Sequence, residues 1–242
     1  MCGIVGAIAQ RPVEGILMEG LRRLEYRGYD SAGIALKLNT GELSCIKAVG
    51  KVAELGSRLT PNFTGHFGIA HTRWATHGKP TEANAHPHVS GPIALVHNGI
   101  VENYQGLREK LLQAGYTFVS DTDTEVVAHL MHFHWQQKGD MFDALKLTIA
   151  ELQGAYALCV INVEKSEQLY IARKGSPLAI GAGIGEFFVA SDQMALRPVT
   201  DRFVFLEEGD YGIVSIDGYQ LFNDQHAKTE RDTHHIEEDA GD

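Results

Sequence analysis

Cysteine is scarce in this sequence. The 242 residues contain three, Cys2, Cys45 and Cys159, which are widely spaced and form no Cys-x-x-Cys pair. A disulfide framework needs an even set of cysteines and a zinc knuckle needs closely paired ligands, so neither fits. Because cytosolic proteins keep their thiols reduced, we expect the chain to be cytoplasmic.

Basic residues and long apolar runs are also few. Lys and Arg total 21 against 31 Asp and Glu, a formal net charge of −10, and the sequence has no basic cluster beyond Arg22-Arg23. Nucleic acids and other polyanions are therefore disfavoured as partners. The longest apolar stretch, Met1–Ala9, is half of what a membrane span needs and lacks the basic flank of a signal peptide. No membrane association is expected.

What remains is the composition of a globular chain, with 44% hydrophobic and 21% charged residues. Apolar periodicity and boundary residues predict helices over 12–27, 51–59, 104–114, 123–138 and 141–152. Strands are predicted over 33–38, 43–48, 67–73, 93–97, 156–163, 168–173, 178–180, 187–191, 203–206, 211–216 and 220–222. Many strands follow one another without a helix between them. An α+β fold with antiparallel sheets and layered helices is therefore expected.

The last residues differ from the rest of the chain. From residue 228 the sequence is polar and acidic and ends in Ala-Gly-Asp. Such composition is typical of a linker. We therefore expect one domain over 1–228, with 229–242 as the start of a linker to a domain absent here.

Cys2 is the first candidate for chemistry. Methionine is generally removed before a small residue, so Cys2 is expected to become the N-terminal residue. It then has both a thiol, with a pKa of about 8.5, and an α-amine of pKa about 7.7 to 8 that acts as a base near neutral pH. The alternative for an isolated cysteine is a packing role in the core.

Several motifs surround this cysteine. They are Cys2-Gly-Ile-Val-Gly6, Arg22-Arg-Leu-Glu-Tyr-Arg-Gly-Tyr-Asp-Ser-Ala-Gly33, His71-Thr-Arg-Trp-Ala-Thr-His-Gly78, Asn84-Ala-His-Pro-His88, His97-Asn-Gly-Ile100 and Thr122-Asp-Thr-Glu125. With them, residues 2–242 resemble the N-terminal-cysteine (class II) glutamine amidotransferase domains of the glutamine–fructose-6-phosphate aminotransferase family. The forms of Tyr26–Gly33 and Arg73–Gly78 distinguish that family from the amidophosphoribosyltransferases.

The resemblance implies a fold and a reaction. The fold is the Ntn-hydrolase four-layer αββα sandwich with two stacked antiparallel sheets. The reaction is hydrolysis of the side-chain amide of L-glutamine through a thioester on Cys2, with no cofactor. In the family the ammonia passes to a C-terminal sugar-phosphate isomerase domain that makes glucosamine 6-phosphate. The full-length enzyme is expected to be a homo-oligomer.

The resemblance also implies residue roles. Asn98 and Gly99 are expected to stabilise the tetrahedral oxyanion with a side-chain and a backbone N–H. Arg73 would bind the α-carboxylate of glutamine and Asp123 its α-ammonium group. The remaining implied roles are Thr76 and His77 in the loop that covers the substrate, Trp74 as the gate of an ammonia channel, and Arg27 and Gly28 as support around Cys2.

Other interpretations of these residues stay open at this point. Asn98-Gly99 is typical of a type I′ turn, Asp123 of a helix N-cap, and Arg73 of a surface charge. The histidines at 71, 77, 86, 88 and 97 lack a recognisable zinc spacing, so no metal is expected. A related amidotransferase that serves phosphoribosyl diphosphate or asparagine chemistry would share Cys2. A binding module that retains Met1 would not be an enzyme.

Overall fold

The computed structural model describes residues 2–74, 78–165 and 167–237. Within these ranges two antiparallel sheets are present. The first contains, in spatial order, β15 (Thr233–His235), β11 (Arg202–Phe205), β9 (Ala179–Ala182), β10 (Phe187–Ala190), β1 (Gly3–Ile8), β4 (Phe67–Arg73), β2 (Ser31–Lys37) and β3 (Leu43–Val49). The second contains β14 (Lys228–Thr229), β13 (Gly218–Phe222), β12 (Tyr211–Ser215), β8 (Leu169–Lys174), β7 (Gly154–Asn162), β6 (Ile93–Val101) and β5 (His88–Ser90).

The helices cover the outer face of each sheet. They are α1 (Glu14–Leu24), α2 (Val52–Ser57), α3 (Tyr104–Gln113), α4 (Asp123–Lys138) and α5 (Met141–Glu151). The first two pack on the first sheet and the other three pack on the second. A third apolar core lies between the two sheets. The predicted four-layer αββα sandwich is confirmed.

Strand β1 shows why a strand in this fold is apolar on both faces. Its side chains alternate between two cores. Val5 and Ala7 face the helices of the first layer, whereas Ile4 and Ile8 enter the core between the sheets. Burial on both sides explains the unbroken apolar run at the start of the sequence.

Helix α4 has clear signals at both ends. The Thr122 hydroxyl accepts a hydrogen bond from the Glu125 backbone N–H, and Gly139 adopts the left-handed conformation after the last turn. Both are standard boundary features, and the predicted range of this helix agrees with the structure. The helix predicted over 12–27 is shorter in the structure. It spans Glu14–Leu24 and is followed by a 3-10 turn over Glu25–Arg27.

Three short strands were not predicted from the sequence. These are β5, β14 and β15, which have two or three residues each and no apolar alternation. They form because β5 pairs with β6, β14 with β13 and β15 with β11. The chain is thus paired in a sheet as far as His235, beyond the expected domain boundary at 228. The linker assignment for 229–242 stays a prediction.

Candidate active site

Cys2 lies immediately before β1, in the middle of the first sheet. Its Sγ is 3.2 Å from the Trp74 backbone nitrogen, which donates to it, and 3.4 Å from the Trp74 carbonyl oxygen. Burial raises the pKa of the thiol, and the Trp74 N–H opposes that effect because it stabilises the thiolate. A nearby base is therefore needed to form the nucleophile at neutral pH.

Asn98 reaches Cys2 from the other sheet. It lies in β6, opposite Ala157 of β7. Its Nδ2 donates to the Cys2 carbonyl oxygen at 3.1 Å, and its Oδ1 is 2.9 Å from Nε2 of His71. The amide is thus fixed at both ends, beside the backbone of the cysteine.

Gly99 follows in the same strand and not in a turn. It pairs with Tyr156, and β6 runs on to Val101, so the strand prediction that ended at His97 was too short. The φ of Gly99 is +115°, and a Cβ there would lie 2.2 Å from the Ala155 carbonyl oxygen. Only glycine fits, because both the backbone conformation and the close neighbouring strand exclude a side chain. The type I′ turn is ruled out.

Asp123 is the first residue of α4, and Thr122 takes the N-cap position. The Asp123 Oδ2 accepts a hydrogen bond of 2.8 Å from the Val101 backbone N–H. The side chain is buried. The N-cap interpretation of Asp123 is therefore wrong, and its carboxylate is held against the end of β6.

Arg73 is a buried residue at the end of β4, not a surface charge. Its guanidinium donates to the carbonyl oxygens of Lys79 at 3.1 Å and Gly78 at 3.3 Å. It also lies 3.7 Å from Oδ1 of Asp30. These neighbouring groups help to set the position of this cation.

Arg27 and Gly28 contact Asp192 and Trp74, respectively. Arg27 forms an ion pair of 3.1 Å with Asp192. Gly28 has φ +114°, and a Cβ there would lie 2.6 Å from Cε3 of Trp74. Gly28 thus lets the indole of Trp74 come close to the backbone. Trp74 itself is half exposed, and Thr76 and His77 lie outside the described residues.

One cleft brings together five of the eight predicted site residues that the structure describes. Its lining includes Cys2, Arg73, Trp74, Gly99 and Asp123. It also contains side chains to which the sequence had assigned no role, namely His86, His97, Thr122 and Thr124. His97 directly precedes Asn98, but successive side chains of a strand point to opposite faces, so no sequence signal placed His97 in the cleft.

The histidines near the cleft are packed and neutral. Burial lowers the pKa of His71 to about 3 and lowers the pKa of His86, His88 and His97 as well. His97 hydrogen-bonds Thr124 at 2.9 Å, and His88 hydrogen-bonds Thr122 at the same distance. In the part of the chain that the structure describes, no group of three or more His, Cys, Asp or Glu side chains is arranged to hold a metal ion. Among the same residues, every helix is too short or too polar to span a lipid bilayer.

The fold and the site together indicate one class of protein. Its features are an αββα sandwich, a cysteine directly before a central strand, and amide and carboxylate groups around that cysteine. The sequence profile described as "Glutamine amidotransferase domain" matches residues 71–198, more than half of the chain. The chain belongs to the glutamine amidotransferase domain family.

Relatives of known name refine this assignment. The chain is 53% identical over 242 residues to the glutamine–fructose-6-phosphate aminotransferase (isomerizing) of Pseudomonas putida, and 55% identical over 243 residues to that of Pseudomonas aeruginosa. In both cases the match covers 99% of this chain and 40% of the relative, so the chain spans well under half of their length. A solved structure of glutamine phosphoribosylpyrophosphate amidotransferase from B. subtilis is also similar. It has a TM-score of 0.77 and 27% identity, over 92% of this chain and 49% of that one.

Proposed function

We propose that this domain hydrolyses the side-chain amide of L-glutamine to glutamate and ammonia through a thioester on Cys2. The observation on which this depends is the position of the Cys2 sulfur. It lies in a cleft with the Gly99 backbone and the Arg73 and Asp123 side chains, while Asn98 donates to the backbone of Cys2. These are the groups that attack on an amide by a thiolate requires.

The proton transfers are assigned to the α-amine of Cys2 after removal of Met1. This amine takes the thiol proton, directly or through a water, and the sulfur attacks the amide carbon of glutamine. The oxyanion that forms is stabilised by the second N–H of Asn98 and by the backbone N–H of Gly99. The amine then protonates the leaving ammonia, and water hydrolyses the γ-glutamyl thioester.

The charged groups of the cleft fit the free end of the substrate. The Arg73 guanidinium offers a planar set of donors to the α-carboxylate of glutamine. The Asp123 carboxylate accepts at both oxygens, so it keeps its bond to Val101 and also accepts from the α-ammonium group. We retain Thr76 and His77 as covering residues, Trp74 as a channel gate, and Arg27 and Gly28 as support on the basis of the motifs.

A larger assembly is also proposed. Because the relatives are far longer than this chain, we infer that the ammonia is used by a C-terminal sugar-phosphate isomerase domain to make glucosamine 6-phosphate from fructose 6-phosphate. We infer a homo-oligomer for the complete enzyme and a cytoplasmic setting, which suits the three unpaired cysteines. An amidophosphoribosyltransferase is the weaker candidate, because the structural match to that enzyme has the lower sequence identity.

The test is glutamate release from L-glutamine by the 242-residue chain without any sugar phosphate. We expect steady release from the unsubstituted protein and none from Cys2→Ala, which should still lose Met1. Cys45→Ala is the matched control and should keep its activity, because Cys45 is half-buried elsewhere. No release from the unsubstituted protein, although its mass shows Cys2 at the N-terminus, would refute the proposal. Full activity with Met1 retained would refute the amine as the base.

A further inference from the structure

His71 belongs to the first sheet but contacts the second. It lies in β4, opposite Ile4 of β1 and Gly33 of β2. Its Nε2 is 2.9 Å from Oδ1 of Asn98 and 3.1 Å from the carbonyl oxygen of His97. The side chain is fully buried, so no water competes for these contacts.

The His97 carbonyl determines which nitrogen of His71 holds the proton. A carbonyl oxygen only accepts hydrogen bonds, so Nε2 of His71 must be the N–H nitrogen. In a neutral ring the other nitrogen, Nδ1, then has a lone pair. This agrees with the surroundings of Nδ1, which is buried and has no hydrogen-bond partner among the described residues.

The proton on His71 in turn determines the orientation of the Asn98 amide. An N–H at Nε2 requires the oxygen of the amide on the His71 side, so Nδ2 must face Cys2. A reversed amide would place its N–H₂ against the N–H of His71 and its oxygen 3.1 Å from the Cys2 carbonyl oxygen. Both contacts would be repulsive.

The plane of the His71 ring is fixed as well. The ring stacks on His86, with 4.1 Å between the centroids and 12° between the planes. His86 is itself held, because its Nδ1 accepts a hydrogen bond of 3.4 Å from the His97 backbone N–H. A chain of contacts therefore runs from the backbone of β6 through two rings and returns to the amide of Asn98.

We infer that His71 is a positioning residue for the reaction. Its Nε2–H holds the Asn98 amide in the one orientation that presents N–H, and not oxygen, to the oxyanion. This inference rests on the proposed glutaminase function, since it concerns the same transition state. His71 does not touch the substrate, and it acts only through Asn98.

Three substitutions separate the donor from the volume of the ring. His71→Gln keeps an N–H donor at about the distance of Nε2, His71→Asn is one carbon shorter, and His71→Leu has no donor. We expect kcat for glutamine to fall about 10- to 100-fold in His71→Asn and in His71→Leu. This fall is no greater than the one that loss of an oxyanion donor causes. The kcat of His71→Gln should stay within a few-fold of the unsubstituted value, and KM should change little in all three.

Two further measurements exclude a general structural effect. Alkylation of Cys2 by iodoacetamide forms no oxyanion, so its rate should be the same in all variants that remain folded by thermal unfolding. In the Asn98→Ala background, His71→Leu should cause no further loss of kcat, because the residue acts through that amide. Unchanged kcat in His71→Leu or His71→Asn overturns the inference. So do parallel losses of alkylation and hydrolysis, or additive losses with Asn98→Ala. Lack of glutamate release by the unsubstituted protein instead overturns the proposed function.

Discussion

At the scale of single residues, the polar groups of the cleft are held by the protein before any substrate arrives. Asn98 is bound at its oxygen and its nitrogen, Asp123 by the Val101 backbone, and Arg73 by two carbonyl oxygens and Asp30. Groups fixed in this way need little reorganisation during a reaction, which is what electrostatic stabilisation of a transition state requires. Trp74 and Gly99 are the exposed members of the cleft.

Arg73→Lys tests the proposed carboxylate clamp. Lysine keeps the charge beside Asp30 but loses the planar pair of donors, so binding should weaken by one or two charged hydrogen bonds. A hydrogen bond to a charged group contributes about 1.5 to 3 kcal/mol to binding, so the loss of one raises KM for glutamine about 10- to 100-fold. The kcat at saturating glutamine should change little, because the clamp acts in the ground and transition states alike.

Steady-state kinetics of Arg73→Lys and of Arg58→Lys provide the comparison. Arg58 is an exposed residue paired with Glu82, and its substitution should leave KM unchanged. A large fall in kcat with KM unchanged in Arg73→Lys would contradict the assigned role.

At the scale of elements, the start of α4 organises one side of the cleft. Glu125 in its first turn accepts hydrogen bonds from the Val119 and Ser120 backbone, the Ser120 hydroxyl and His129. Burial raises the pKa of Glu125, but these hydrogen bonds outweigh it, and the pKa lies below its ordinary value. The loop before α4 is therefore tied to the same helix that presents Asp123.

Glu125→Gln should destabilise the protein by about 2 to 3 kcal/mol at pH 7, because a buried charged acceptor of several bonds is lost. The stabilisation from a carboxylate with a lowered pKa is present above its unfolded pKa, about 4.3, and declines as the pH falls through the folded pKa. The stability difference between the unsubstituted protein and the variant should therefore narrow below pH 4. Urea unfolding at pH 7 and at pH 3.5 measures both values.

Asp143→Asn is the control for Glu125→Gln. Asp143 is an exposed carboxylate in the first turn of α5, and its loss should cost at most about 1 kcal/mol. An equal loss of stability in the two variants would show that Glu125 has no special role.

The elements also show where prediction from the sequence succeeds and fails. The bounds predicted for helix α4 agree with the structure, in which Thr122 and Gly139 are local features that mark its two ends. The end of β6 was missed because Asn98-Gly99 locally favours a turn, while pairing with β7 decides the conformation. Motifs alone indicated the residue types of the site. The contact of His71 with Asn98 joins two different sheets across 27 positions, so no local pattern could reveal it.

At the scale of the whole molecule, the core between the sheets holds the two parts of the site in register. Cys2 precedes a strand of one sheet and Asn98 lies in the other, so the inter-sheet packing sets their distance. This core includes Ile4 and Val96, the first near Cys2 and the second near Asn98. Loss of packing there should therefore affect both stability and the site.

Ile180→Ala and Ile184→Ala compare the same change inside and outside this core. Ile180 is fully buried in β9 between the sheets, whereas Ile184, in the turn that follows, is 92% exposed. We expect Ile180→Ala to cost about 2 to 5 kcal/mol of unfolding free energy and Ile184→Ala to stay within about 0.5 kcal/mol. Urea unfolding measures the two values, and similar costs would contradict the assigned core.

The place of β1 in its sheet has a consequence for the making of the protein. Cys2 directly precedes β1, which lies between β4 and β10 in the first sheet, and β10 ends at Ala190. The strand beside the nucleophile therefore finds its second neighbour only after the residues up to Ala190 have been synthesised. During synthesis one edge of β1 therefore stays unpaired until β10 has been made, so the strand that positions Cys2 takes its final place in the sheet late.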